Sequence, residues 1–274
     1  MIALRFWCDT IMSNFKKQRI FVNNKKTNLI FNEDDNEIIN KFYLKKIKKG
    51  NVLLLEYKYN TLCYCIINVG FTSINEIRVC LENSDLFKNS VCPSLHIKGT
   101  SIKSIRSDEL FFLLNEFAFS DLFITENKLS SFVFTRKTFN HCLQSLNLVN
   151  VDLSEIGDLV TCLVGSNVKQ LDLSCNAITS LNAFVDKLHL THVNWLILFD
   201  NYISETSDFV DYLRTNKTFK NLESGLITLD LRENLVQNEN ELQNLISICD
   251  MFTSDFVLKV GDDNNYKQYD GLLI

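Results

Sequence analysis

Apolar residues recur along this chain in one fixed spacing. Val168–Ile178 reads VKQLDLSCNAI, with apolar side chains at positions 1, 4, 6 and 11 and Asn at position 9. Val193–Ile203 (VNWLILFDNYI) and Leu226–Val236 (LITLDLRENLV) repeat the arrangement. Phe119–Leu129 (FSDLFITENKL) keeps it with Asn127 in place. Leu143–Leu153 (LQSLNLVNVDL) has Val151 in the Asn slot, and Cys92–Ile102 (CPSLHIKGTSI) has Thr100 there. The units start at 92, 119, 143, 168, 193 and 226, and a period of this size marks a stacked repeat. Weaker units are expected on both sides. One is Thr61–Phe71, with Tyr64, Ile66, Val69 and Phe71 in the apolar slots. The other begins at Thr253 and offers Phe256, Leu258 and Gly261.

The alternation at the centre of each unit predicts a short strand, with Leu171 and Leu173 inward and Asp172 outward. The Asn side chain can bond the backbone of adjoining turns, so Asn127, Asn176, Asn201 and Asn234 are expected to form a ladder. Val151 interrupts it and is expected to weaken or dry its turn. Between the units, helices are expected over Ser107–Phe119, Ser154–Gly165, Leu181–Leu190, Ser204–Asn216 and Gln237–Cys249, from caps and apolar spacing. The segment after Leu129, SSFVFTRKTFNHC, reads as irregular or extended.

The pattern resembles the leucine-rich repeat family, whose signature is L-x-x-L-x-L-x-x-N-x-L. The likeness covers about 92–250 well and about 61–265 loosely. The resemblance implies an α/β fold: a curved solenoid with a parallel sheet on its concave face, helices or irregular segments on its convex face, and capped ends. The stretch from Leu196 to Leu222 is most similar to the ribonuclease inhibitor-like subclass, which also includes Ran GTPase-activating proteins. It departs from that subclass in its short repeats and in lacking a Gly-rich turn after the Asn. The expected organisation is an N-terminal basic cap at 1–60, repeats at 61–250 and a C-terminal cap at 251–274. In the first cap, Phe6, Trp7, Ile11 and Phe15 are candidate buried positions, and Ile38–Leu44 suggests a helix ending before Gly50.

Charge changes the picture by dividing the chain. Residues 1–50 hold eleven Lys or Arg against five Asp or Glu, a charge of +6. The remainder holds seventeen against twenty-eight, a charge of −11. The basic part reads first as a solvated cap and second as a contact for an acidic partner, RNA or an anionic surface. The odd count of nine cysteines fits reduced thiols in an intracellular, cytoplasmic or nuclear protein. Arg5 and Asp9 interrupt the apolar N-terminus, which reads against a signal peptide. The best membrane-span candidate, Tyr59–Asn75, is too polar.

Outward strand positions are where such an architecture would bind. Trp195, Ile197 and Phe199 place three large apolar side chains outward on one strand. Asp172, Asp200, Asp230, Arg232 and Glu233 are expected around them as a charged rim, the anatomy of a protein-binding patch. The other reading is that the protein's own chain covers them. The sequence contains neither a P-loop nor a dinucleotide-binding glycine pattern, so no catalytic residue, metal or cofactor is expected. His189 and His192 form half a metal site at best, and Cys142 is expected to be packed. The expectation is a monomeric, non-enzymatic module with a protein partner. Two alternatives remain from the resemblance and the charge split: a regulator of a small GTPase, and an RNA-export adaptor using the basic N-terminus. A nucleic-acid partner is the weaker expectation.

Overall fold

The computed structural model describes residues 21–22, 25–26, 39–47, 50–57, 62–68, 72–82, 94–98, 102–129, 131–133, 135, 142–215, 226–236, 238–248, 256–262 and 267–270. Before residue 72 and at 267–270 the description is of the backbone alone. Phe6, Trp7, Ile11, Phe15 and Thr100 lie outside it. Two short strands, β1 (Phe21–Val22) and β2 (Lys25–Lys26), pair with each other and not with the main sheet. Among the described residues, the main sheet has eleven strands. It opens with an antiparallel meander of β3 (Ile39–Ile47), β4 (Gly50–Tyr57) and β5 (Leu62–Asn68). After β5 comes helix α1 (Ile74–Glu82), then β6 (Ser94–Lys98), β7 (Ser104–Arg106), α2 (Ser107–Phe117), β8 (Asp121–Thr125), β9 (Ser131–Val133) and β10 (Ser145–Val149). The chain continues through α3 (Gly157–Leu163), β11 (Gln170–Asp172), β12 (Trp195–Ile197), α4 (Ser207–Thr215), β13 (Thr228–Asp230), α5 (Glu239–Ser247), β14 (Val257–Val260) and β15 (Lys267–Asp270). Seven consecutive parallel pairings join β5, β6, β8, β10, β11, β12, β13 and β14, and β15 closes the sheet antiparallel. β7 and β9 make a separate parallel pair. The fold is α/β, with helices in several of the crossovers of a parallel sheet. The boundaries expected at 60/61 and 250/251 fall between strands of this one sheet.

The pairing register follows the sequence units. Ser94, Asp121, Ser145, Gln170, Trp195 and Thr228, each the third residue of its unit, lie opposite one another in turn. The fourth and sixth residues are therefore in line. Leu95, Ile97, Leu122, Ile124, Leu146, Leu148, Leu171, Leu173, Leu196, Leu198, Leu229 and Leu231 are all buried. They share one core with Leu110, Leu113 and Leu114 of α2 and with Phe209, Val210 and Leu213 of α4. Burying each such side chain stabilises by about 1.5–3 kcal/mol, which is why the register holds along the sheet.

Beyond each strand the chain turns in a recurring way. Glu126, Asn150, Cys175, Asp200 and Glu233 stand at position 8 of their units, all with φ between 53° and 58°. Each donates its N–H to the carbonyl of position 7 in the next strand, as from Cys175 to Phe199 at 2.8 Å and from Asp200 to Arg232 at 2.9 Å. This left-handed backbone suits Gly, and here it is occupied by residues that carry a Cβ. The Asn side chains then bridge turns. Asn176 donates Nδ2 to the carbonyls of Leu148 and Leu173 and accepts the Val151 and Leu153 N–H groups on Oδ1, each at 3.1 Å. Asn201 and Asn234 do the same one and two units on, accepting from Ile178 and Ile203. Asn127 donates to the carbonyls of Ile97 and Thr125. At Val151 the side chain is buried, and the backbone carbonyl accepts the Leu129 N–H at 2.6 Å instead. The Asn ladder is interrupted there as expected, but the backbone of the turn stays bonded.

Several elements differ from the sequence reading. Ile39–Leu44 is not helical but part of strand β3. Its apolar run is too short for periodicity to decide, and Ile, Phe and Tyr favour the pleated surface that β4 offers. In β5 it is Cys65 and Ile67 that align with Leu95 and Ile97, one residue on from the expected Tyr64 and Ile66. In β14 it is Leu258 that aligns with Leu229, two residues on from Phe256. The expected helix over Leu181–Leu190 is two single 3-10 turns, Asn182–Phe184 and Leu188–Leu190, with left-handed Asp186 between them. Helices α2, α3, α4 and α5 fall inside their expected ranges.

Candidate functional site

The face of the sheet opposite the core is formed by positions 3, 5 and 7 of each unit. Trp195, Ile197 and Phe199 stand on it, each half-buried, in adjacent alternate positions of one strand and its extension. Register places Asp172 beside Ile197 on one side and Asp230 on the other. Arg232 reaches back along its own strand and grips Asp230 with two bonds, Nε to Oδ1 at 2.9 Å and Nη2 to Oδ2 at 2.7 Å. The same guanidinium lies 5.3 Å from the centre of the Phe199 ring, a cation–π distance. Arg232 therefore joins the apolar strand to the next one.

Two members of the expected rim are corrected. Asp172 is 2% exposed and Asp230 3%, so neither offers its carboxylate freely to a partner. Asp172 accepts the backbone N–H and the hydroxyl of Ser174, and Asp230 is held by Arg232. The large side chains of the strand between them exclude water, and buried carboxylates take internal donors. Asp200 is exposed, and Arg232 and Glu233 are partly so, which leaves these three as accessible charges. The rest of the face is similarly bonded to itself. Ser94 donates to Asp121, His96 Nε2 lies 2.8 Å from Thr125 Oγ1, and Asn147 donates to Ser145.

Sequence reading missed the rim beyond this face. Tyr202 is 57% exposed and Leu235 is 47% exposed. Both occupy position 10 of their units, and their N–H groups make equivalent bonds, to Ile178 and to Ile203 carbonyls. Two large apolar side chains at the same position of adjacent units form a neighbouring pair. The signal was legible as two apolar residues where the earlier units carry Lys128, Asp152 and Ala177.

Other chemistry-bearing groups are taken up separately. His189 Nδ1 lies 2.7 Å from the Tyr212 hydroxyl, and His192 Nδ1 lies 2.6 Å from the Ser166 carbonyl, so the two rings serve different neighbours. Among the described residues, no group of three or more His, Cys, Asp or Glu is placed to hold a metal ion. Cys142 is exposed, not packed as expected, because it precedes Leu143 in a turn whose apolar anchor is Leu143 itself. Cys162 is buried, and burial pushes its thiol up to about 12, which keeps it protonated at neutral pH. No helix among the described residues is long and apolar enough to cross a membrane. No family model matches this chain, and no curated protein matches its sequence.

Proposed function

We propose that the units stack as a leucine-rich repeat solenoid, and that the sheet face carrying Trp195, Ile197 and Phe199 binds another protein without chemistry of its own. One observation carries this reading. Three large apolar side chains stand half-open on one strand, next to the accessible charges of Asp200, Arg232 and Glu233. An apolar centre with a polar edge is how protein interfaces are built, and Trp and Arg supply a large share of their hot spots. A binding role also suits the way the remaining polar groups of the face are bonded internally, which leaves the aromatic strand as its adhesive part. The buried free thiol of Cys162 suits a reducing compartment.

The test is affinity capture with wild-type protein and with Trp195→Ala/Phe199→Ala. Loss of the captured partner by the double variant, with an unchanged melting profile, is expected. Equal recovery from both proteins would sink the proposal. Leu196, between the two on the opposite side of the strand, serves as contrast. Leu196→Ala empties a core site and should destabilise by about 2–5 kcal/mol.

A further inference from the structure

The charges on the sheet face do not balance in the units starting at 168, 193 and 226 and in β14 beyond them. Positions 3 to 8 hold five carboxylates, Asp172, Asp200, Asp230, Glu233 and Asp262, against two cations, Arg232 and Lys259. Arg232 is committed to Asp230 through its two bonds, and Asp172 is buried on Ser174. Bonds from the Asp200 N–H to Arg232 and from the Glu233 N–H to Gly261 set Asp200, Glu233 and Asp262 at equivalent places in adjacent units. Neighbouring strands lie about 4.8 Å apart, so these residues form one column, a residue beyond Phe199. Lys259 stands opposite Asp230, further back along the strands. Among the described residues, neither the Asp200 carboxylate nor the Trp195 indole N–H makes a hydrogen bond or ion pair. The aromatic strand therefore begins with a donor and ends at an anion, both available to a partner.

We propose that the occupant of this face is a segment of another protein that carries a lysine or arginine next to its apolar anchor. The anchor packs on Ile197 and Phe199, the cation meets Asp200 and Glu233, and a carbonyl accepts the Trp195 N–H. This assignment rests on the binding role of the Trp195 strand and adds the chemistry of what binds there. An acidic segment would set like charges against the column, and a purely apolar one would take its carboxylates out of water without a cation. Exposed ion pairs add little affinity each, so the apolar anchor holds the segment and the cation decides which segment is accepted.

The probe is a library of random peptides displayed on phage and selected on the full chain at low salt. Peptides that bind wild type but not Trp195→Ala/Phe199→Ala are resynthesised and titrated. Lysine and arginine should be enriched over aspartate and glutamate in them, relative to the unselected library. Asp200→Asn/Glu233→Gln should weaken these peptides about fivefold. Asp152→Asn/Glu155→Gln removes the same charge from an exposed turn of an earlier unit and should leave them unchanged. Replacing the peptide's cation by glutamine should also cost about fivefold in wild type, and nothing further in the Asp200/Glu233 variant. Absence of cation enrichment, equal losses in the two carboxamide variants, or additive losses overturns the proposal and leaves the binding role of the Trp195 strand standing. A library that yields only peptides indifferent to Trp195→Ala/Phe199→Ala removes that role and this proposal with it, so the two failures are told apart.

Discussion

At the turn of the unit starting at 168, the Asn176 side chain holds five backbone groups: the carbonyls of Leu148, Leu173 and Ser174 and the N–H groups of Val151 and Leu153. One unit earlier, Val151 occupies the same slot and its side chain holds none. There the Leu129 N–H goes to the Val151 carbonyl. Both turns keep buried peptide groups bonded, one through a side chain and one through a backbone carbonyl. The difference teaches that the repeat requires satisfied backbone groups more than it requires Asn.

The largest effect should come from removing the side chain where the backbone has no second solution. Asn176→Val leaves several buried donors and acceptors without partners, each costing about 1–3 kcal/mol. We expect a net loss of about 3 kcal/mol in urea unfolding. A loss below about 1 kcal/mol would show that the Asn176 turn can adopt the Val151 arrangement, and the contrast between the turns would fail.

A smaller effect is expected where a cross-unit bond lies on the helix side. Glu241 of α5 accepts the Thr206 N–H at 3.1 Å and the Thr206 hydroxyl at 2.7 Å, and also the Ser207 hydroxyl, at the start of α4. The Ser207 and Thr206 hydrogen bonds hold its carboxyl below the usual value of 4.5. A carboxylate lowered in the folded state stabilises above its unfolded pKa, and that contribution disappears as pH falls through the folded value. Glu241→Gln should therefore cost about 1 kcal/mol at neutral pH, the size of a helix-cap bond. The gap between variant and wild type should close as pH falls below 4.5. A gap independent of pH would mean that shape, not charge, holds the two helices.

The left-handed position 8 gives an effect of opposite sign. Glu233 has φ 57°, and Glu→Gly there relieves strain that a Cβ imposes. A gain of about 0.5–1 kcal/mol in thermal unfolding is expected, reduced by the greater freedom of Gly in the unfolded chain. A loss would place the Glu233 side chain among the groups that hold the turn.

Much of this was legible in the chain itself, and the limits have physical causes. The six clear units predicted their own pairing register because positions 4 and 6 are apolar in every one of them, and a slip of one residue would turn these side chains out of the core. At the ends that pattern fades. In β5, Tyr64, Cys65, Ile66 and Ile67 are apolar on both sides, and the reading missed by one, which exchanges the faces. In β14 it missed by two, which preserves them, so Phe256 and Leu258 are both buried as expected. The aromatic strand of the candidate site was visible as three apolar residues where polar ones were due. The burial of Asp172 and Asp230 was not, because it depends on the size of side chains in the neighbouring strand and on donors two residues away.

The sharpest use of the comparison is the smallest change. Val151→Asn supplies the missing member of the ladder. Its Oδ1 could take the Leu129 N–H, now bonded to the Val151 carbonyl at 2.6 Å, and its Nδ2 could donate to Ile124 as its counterparts donate one unit on. Against this stands the loss of a fully buried apolar side chain, about 1.5–3 kcal/mol. New bonds contribute about 1 kcal/mol each, so the terms nearly cancel. Stability within about 1 kcal/mol of wild type is expected, well under the cost of Asn176→Val. If Val151→Asn instead costs as much as Asn176→Val, the Val151 turn is a distinct packing arrangement that cannot admit a side-chain bridge. If it stabilises strongly, the backbone carbonyl was a poor substitute for the missing amide.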